Sequence, residues 1–273
     1  MPIHATPVIL VETVAMRGYH SASYGDAFAD VYDDWYGEVS DVAVTVALVV
    51  ALAGPAGRVL ELGVGTGRLA LPIASAGLHV TGIDASSKML EQLARNDPEA
   101  TVVAVAGDMV DDLPIGRFDV VLAAYNTVFN LLTADRQLAL FREVALRLAP
   151  GASFVVEAFV PRSHHPDSGG SHVSVRSMTT DRVVLSASIH DTTTNRIDGQ
   201  FIEITETGGI RLRPWAVRSA TPGELDGFAT QCGLVVDARW ADVAGTPFDE
   251  SSERHVTVYR LAGDPPRTAQ SPT

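Results

Sequence analysis

The sequence predicts an α/β fold, a parallel sheet covered by helices on both faces, with an antiparallel β insertion after the fifth strand. Three observations predict it. Short apolar strands alternate with helical segments over residues 58–161. The first strand runs straight into a glycine-rich turn, Leu62-Gly63-Val64-Gly65-Thr66-Gly67. After Pro161 the pattern changes to strand-like runs joined by short polar turns.

Each element follows from its residues. Residues 26–41 read as a helix with Phe28, Tyr32 and Trp35 on one face, at i, i+4 and i+7. Residues 42–53, apolar except for Thr45, are too few to span a bilayer and read as a buried helix ended by Gly54-Pro55 and Gly57. Strands follow at 58–62, 79–83, 101–106, 118–124 and 152–159. Helices are expected at 68–76, at 86–95 with Ser86 as N-cap, and at 133–148 with Thr133 as N-cap. Residues 164–170 read as a polar loop, and three strands at 182–190, 196–205 and 210–218 form a meander. Thr221-Pro222-Gly223-Glu224 opens a helix in capping-box style, and strands at 234–240 and 255–261 complete the chain. The expected organisation is an N-terminal helical lid over 1–57, a core over 58–161, a substrate-lid insertion over 162–220, the C-terminal part of the core over 221–262, and a disordered Pro/Thr/Ser-rich tail over 263–273. The insertion belongs above the C-terminal edge of the sheet, where α/β proteins bind ligands.

Composition narrows the function. The 20 Lys+Arg stand against 33 Asp+Glu, a net charge of −13, and Lys88 is the one lysine. Such a chain, with no basic stripe, is not expected to have nucleic acid as its partner. The one cysteine, Cys232, excludes a disulfide scaffold and fits a cytoplasmic protein. The N-terminal residues lack the pattern of a signal peptide, and no membrane association is expected.

The glycine-rich turn carries the strongest functional signal. Gly65-Thr66-Gly67-Arg68-Leu69-Ala70 matches the G-x-G-x-x-A form of a dinucleotide fingerprint, with Asp84 as the acid further on. The competing reading is the E-x-G-x-G-x-G turn, Glu61 to Gly67, of S-adenosylmethionine-binding methyltransferases. A carboxylate at Glu61 repels a diphosphate and attracts a ligand carrying an ammonium. Asp84 ends strand two, where it can take ribose hydroxyls. Gly107-Asp108-Met109 ends strand three, where an acid can accept the adenine amino group and a thioether can pack on the ring.

With these landmarks the chain resembles the class I S-adenosylmethionine-dependent methyltransferases, in particular small-molecule, natural-product enzymes of high-GC bacteria. The residues that carry the resemblance include Tyr32-Asp33-Asp34-Trp35-Tyr36, Glu61 to Arg68, Gly82-Ile83-Asp84-Ala85-Ser86, Gly107-Asp108-Met109, Tyr125-Asn126-Thr127, Glu157-Ala158-Phe159 and Arg239-Trp240. The resemblance implies a seven-stranded Rossmann-like sheet whose last strand is antiparallel and inserted between strands five and six. It implies S-adenosylmethionine as cofactor, S-adenosylhomocysteine as product, and a small acceptor methylated at nitrogen or carbon. Similar enzymes act on indole-containing natural products, others on amino sugars. Where members often carry an aromatic before Pro222, this chain has Ala220-Thr221. A non-catalytic cofactor-binding regulatory protein is the alternative of another class. A homodimer is a further expectation.

Expected cofactor contacts are Tyr24, Tyr32, Trp35, Tyr36, Glu61, Gly63, Gly65, Gly67, Arg68, Asp84, Ala85, Gly107, Asp108, Met109, Tyr125 and Asn126, with the tyrosine-bearing segment closing over the methionine end. A general base is needed only where the acceptor must lose its proton in or before transfer. Candidates are His190 with Asp191 as its orienting acid, Glu157 at the end of strand five, Tyr24, and the insertion histidines His164, His165 and His172. No metal centre is expected from those three histidines, which sit in a loop region without a nearby cysteine. Six acids and no Lys or Arg fall within 26–41 (Asp26, Asp30, Asp33, Asp34, Glu38 and Asp41), which places a negative face beside the expected mouth of the site or simply in solvent.

Overall fold

A computed structural model describes residues 15–37, 41–161 and 170–265 of the chain. The core is a seven-stranded sheet in the order β10-β11-β5-β4-β1-β2-β3. Its strands are β1 (Arg58–Leu62), β2 (His79–Asp84), β3 (Val102–Ala106), β4 (Phe118–Ala123), β5 (Leu148–Phe159), β10 (Leu234–Trp240) and β11 (Arg254–Leu261). The pairs among β1 to β5 are parallel, while β11 is antiparallel to both β5 and β10. The expected insertion of the last strand between strands five and six is therefore present.

The helices cover both faces because the strands are apolar on both. α3 (Val42–Ala53), α4 (Ala70–Ser75) and α5 (Ser87–Asn96) pack on one face around Val59, Ile73, Val80 and Leu93. α6 (Ala134–Ala145) and α7 (Pro222–Gln231) cover the other around Leu140, Phe141, Phe154, Leu225 and Tyr259. The predicted caps form: the Ser86, Thr133 and Thr221 side chains accept from Met89 N, Arg136 N and Glu224 N, and Asp41 caps α3 in the same way through Val44 N. Only half of the capping box at Thr221 is made, because the Glu224 carboxylate turns away to the Arg218 guanidinium at 2.6 Å.

The N-terminal segment departs from the single helix expected over 26–41. It is broken into α1 (Ser23–Phe28) and α2 (Tyr32–Tyr36), with α3 beginning at Val42. At the break the Ala27 carbonyl accepts from Arg213 Nη1 at 2.5 Å, and the Val31 amide turns back to Phe28 instead. A tertiary guanidinium thus replaces the i→i−4 bond that would have continued the helix. The aromatic face survives as a cluster of Phe28, Tyr32, Trp35 and Tyr36.

The insertion is a second sheet of four antiparallel strands in the order β6-β7-β8-β9, where the sequence suggested three. β7 (Arg182–Asp191), β8 (Arg196–Thr205) and β9 (Gly209–Arg218) match expectation, and β6 (Gly170–Met178) is new. β6 is an edge strand exposed along its whole length, so its serine-rich residues carry no burial signal. Two further boundaries shift. Strand 5 starts at Leu148, which pairs with Phe118, so the helix read to residue 148 stops at Ala145. Among the described residues no helix is long and apolar enough to cross a membrane, and no group of His, Cys, Asp and Glu is arranged to hold a metal ion.

Candidate functional site

A cavity of about 440 Å³ opens at the C-terminal ends of β1 to β4. Its floor is the loop after each strand: Gly63 and Gly65 after β1, Asp84 and Ala85 at β2, Gly107, Asp108 and Met109 after β3, and Tyr125, Asn126 and Thr127 after β4. Its roof is Tyr24, Tyr32 and Tyr36 from the N-terminal segment and Arg176, Phe201, Trp215 and Val217 from the insertion. The two elements expected to act as lids therefore meet over the glycine-rich turn.

The turn takes its shape from glycine. Gly63, Gly65 and Gly67 have φ of +64°, +55° and +89°, and a Cβ at Gly67 would stand 2.5 Å from Leu93 Cδ1. The chain can then double back so that the Gly65 amide donates to Asp84 Oδ2 at 2.9 Å, while Ser86 N donates to Oδ1 at 2.8 Å. Burial raises the Asp84 carboxyl above its ordinary value, and those two amides oppose the shift. Glu61 lies just behind the turn and is 5% exposed. Its Oε2 has no hydrogen-bond partner among the described residues. Burial pushes its carboxyl up to about 8, with Asp84 adding to the rise and the Arg68 guanidinium opposing it. A buried carboxylate oxygen left without a partner is costly, and a cationic or N–H-bearing ligand group removes that cost.

At the far end of the floor, Asp108 Oδ1 accepts from Val110 N at 2.8 Å and from Arg136 Nη2 at 2.6 Å. Arg136 also pairs with Asp111 at 2.7 Å, so the guanidinium fixes the orientation of the Asp108 carboxylate. Tyr125 and Asn126 both adopt left-handed conformations, with φ of +45° and +67°. Glu157 holds that turn: its Oε2 accepts from Tyr125 N at 3.1 Å and its carbonyl accepts from Asn126 N at 2.9 Å. Asn126 Oδ1 in turn accepts from Phe159 N at 2.7 Å.

Several expected site residues lie elsewhere. Glu157 is 9% exposed, engaged with the Tyr125 amide, and does not line the cavity. His190 and Asp191 end β7 away from the cavity, and the Asp191 carboxylate caps the following turn through Thr193 N and Thr194 Oγ1, both at 2.9 Å. They are a turn-opening pair, which corrects their reading as base and orienting acid. Tyr24 does line the cavity, stacked on Phe28 at 4.4 Å, but burial and the neighbouring tyrosines raise its hydroxyl well above 10. So raised, the hydroxyl keeps its proton at neutral pH. Trp35 packs behind the roof against Phe28 and Phe201, and Arg68 sits over the Tyr125 ring; neither lines the cavity. His172 lies on the exposed edge strand, and His164, His165 and Glu38 lie outside the described residues.

The acids of the N-terminal segment tie it down. Asp26 Oδ1 accepts from Ser86 Oγ at 2.7 Å, Asp33 Oδ1 from Thr66 Oγ1 at 2.5 Å, and Asp30 binds Arg213 at 2.7 Å and Arg211 at 2.7 Å. Gly25 permits the approach, since a Cβ there would stand 2.4 Å from Ser86 Cβ. Sequence reasoning missed Gly25, Met89, Arg136, Arg176, Phe201 and Trp215 as cavity-lining residues. The alternation of β8 and β9 was the available signal for Phe201 and Trp215, which share the inner face with Arg213.

Comparison with known proteins agrees with this geometry. A methyltransferase-domain family model matches residues 59–151. The CcbJ methyltransferase from Streptomyces caelestis superposes with a TM-score of 0.83 at 40% identity, covering 90% of this chain and all of that one. The cypemycin N-terminal methyltransferase of a Streptomyces species is 29% identical over 86% of this chain and 96% of its own length. CalS10, an amino pentose methyltransferase from Micromonospora echinaspora solved with S-adenosylmethionine bound, shares the fold with a TM-score of 0.63 at 22% identity, over 85% of this chain and 97% of its own. On the matched turn, the strand order and the similarity along the whole described core, the chain belongs to the class I S-adenosylmethionine-dependent methyltransferases of natural-product type.

Proposed function

We propose that the enzyme methylates a nitrogen of a small natural product. The carrying observation is a single cavity whose floor is acidic and whose roof is aromatic. Asp84 and Asp108 would take the ribose and adenine ends of the cofactor, and Tyr24, Tyr32 and Tyr36 would cover its methionine end. Glu61, buried behind the turn and not itself lining the cavity, would act on the cofactor's ammonium from there. When bound, S-adenosylmethionine supplies an electrophilic methyl on a sulfonium. The residues of the chain contribute alignment and exclusion of water, with proximity worth up to about 7–11 kcal/mol in favourable cases. Roof tyrosines also favour cationic groups by cation–π attraction. An amine that enters neutral needs no base before transfer, and would lose its proton afterwards to solvent or to His20, the histidine among the cavity-lining residues. The cypemycin relative, named for an N-terminal acceptor, supports nitrogen over carbon. The reading rests on the N-terminal segment and the insertion acting as lids over the core.

The test is mass spectrometry of reactions with S-adenosylmethionine and a matched panel of amines, amino sugars and indoles. Methyl gain on the amines supports the proposal. Methyl gain at ring carbon of the indoles alone overturns it. A reducing compartment fits the single thiol, Cys232.

We also propose a homodimer through the outer face of the insertion. Cross-strand rows there read Met178-Val183-Ile204-Ile210 and Val175-Leu185-Ile202-Leu212, with Val173 and Ile189 beside them. Met178, Val175, Ile210 and Leu212 are more than half exposed. Four strands about 4.8 Å apart with some nine residues rising about 3.3 Å each give a face of roughly 600 Å² per copy. A twofold contact would bury roughly 1,200 Å², above the ~1,000 Å² a specific interface needs.

A further inference from the structure

Arg176 is an arginine of the insertion placed in the cavity wall by a break in strand register. β6 and β7 pair regularly from Gly170 to Val175, then skip: Val175 faces Leu185, Ser177 faces Val184, and Arg176 has no opposite residue. It is the extra residue of a β-bulge on an edge strand, and bulges in that position re-aim a side chain. The result is visible on both faces of the sheet. Val175 and Met178, three residues apart, stay in the outer apolar rows, while Arg176 turns to the cavity side.

There the guanidinium lies 4.6 Å from the Phe201 ring centroid, 4.9 Å from Trp35 and 5.3 Å from Tyr36. The guanidinium is thus stacked among three rings at the cavity wall, and no hydrogen bond joins it to the described residues. It differs in this from the other cavity-lining arginine, Arg136, which is committed to Asp108 and Asp111. Arg182, Arg211 and Arg213 of the same sheet all pair with Glu203 or Asp30. No salt bridge joins Arg176 to a carboxylate of the described residues. Arg176, Arg254 and Arg68 also converge electrostatically on Tyr125. A chain of net charge −13 thus presents, in the wall of its cavity, an arginine with no carboxylate partner among the described residues.

We infer that Arg176 forms an oxyanion subsite in the acceptor half of the cavity, so that the acceptor is an amine that also bears a carboxylate. The planar fork of guanidinium matches a carboxylate edge-on, and the ring box leaves that edge pre-oriented. The inference rests on the proposed amine methylation for the identity of the acceptor, but the subsite is a binding property measurable whichever atom is methylated.

The experiment uses the full chain saturated with S-adenosylhomocysteine and titrates it with benzoate and with its neutral isostere benzamide, by calorimetry or ligand-observed NMR. Benzoate should bind about tenfold more tightly, the scale of one charge-assisted hydrogen bond. Arg176→Gln should abolish that preference with S-adenosylhomocysteine affinity unchanged, and Arg176→Lys should restore part of it. Equal binding of the two probes, no binding of benzoate, or a preference that survives Arg176→Gln overturns the inference. So does an Arg176→Gln variant whose S-adenosylhomocysteine affinity falls while its preference for benzoate remains, which would assign the guanidinium to the cofactor's own carboxylate. Retained S-adenosylhomocysteine binding in each variant establishes that it is folded.

Discussion

Replacing Glu61 by glutamine isolates the electrostatic cost of the site. The carboxyl is buried at the end of β1 and is raised from 4.5 to about 8, by burial above all. Between those two values the folded chain holds a proton that the unfolded chain has released. The group's contribution to stability is complete below about pH 4.5 and is lost as pH rises toward 8. At 1.36 kcal/mol per pH unit the displacement is worth about 5 kcal/mol, with a slope of about 1.4 kcal/mol per unit across the window. Glutamine keeps an oxygen to accept from the Ala70 amide and has no proton to lose. Urea unfolding of the ligand-free protein between about pH 5 and about pH 8 should therefore show the variant gaining on wild type by about 4 kcal/mol. Calorimetry should show the same variant binding S-adenosylhomocysteine more weakly and without the proton release that accompanies binding to wild type, because the ligand's ammonium draws the Glu61 carboxyl into its charged form and glutamine has no such form. Parallel stability profiles for the two proteins would refute the reasoning.

His255 is fully buried and its pKa is lowered to about 4, first by burial and then by Arg239, so its contribution is present above about pH 6.5 and is lost as pH falls toward 4. His255→Gln should remove about 3 kcal/mol of acid sensitivity from the unfolding profile. A Cβ at Gly199 would stand 2.3 Å from the Trp215 ring, so Gly199→Ala should raise the acceptor KM in steady-state assays while S-adenosylhomocysteine affinity holds. Asp33→Asn weakens the bond from Thr66 that ties α2 to the glycine-rich turn, and should speed S-adenosylhomocysteine release about tenfold in stopped flow without altering the salt dependence of association. Leu212→Arg places a charge in the outer apolar face of the insertion, and light scattering should report a dimer for wild type, as proposed, and a monomer for the variant.

What could be read from the sequence follows a physical division. The parallel core was legible because strands buried on both faces are continuous apolar runs and because Ser86, Thr133 and Thr221 cap their helices with local contacts. The glycine-rich turn and Asp84 were legible because a loop that brings Gly65 N to a carboxylate needs positive φ. The roof was not. The break at Ala27 depends on Arg213, 186 positions away, and the aim of Arg176 depends on a skip in pairing with β7. Glu157 and His190 carried the right chemistry for a base, but strand register turned one to the Tyr125 amide and left the other outside the cavity. Side-chain chemistry is written locally; the direction in which it faces is decided by partners remote in the chain.

The place of β11 sets an order of assembly. Arg254 pairs with Phe159, 95 positions earlier, and the strand fills the gap between β5 and β10. At about 5–20 residues per second, a ribosome needs roughly 5–20 s to deliver one partner after the other. Through that interval β5 is an open apolar edge, while the meander of β6 to β9 has every neighbour it needs. The insertion can thus close as a unit before the core that carries it, and the half-built sheet is the species with most to gain from a chaperone.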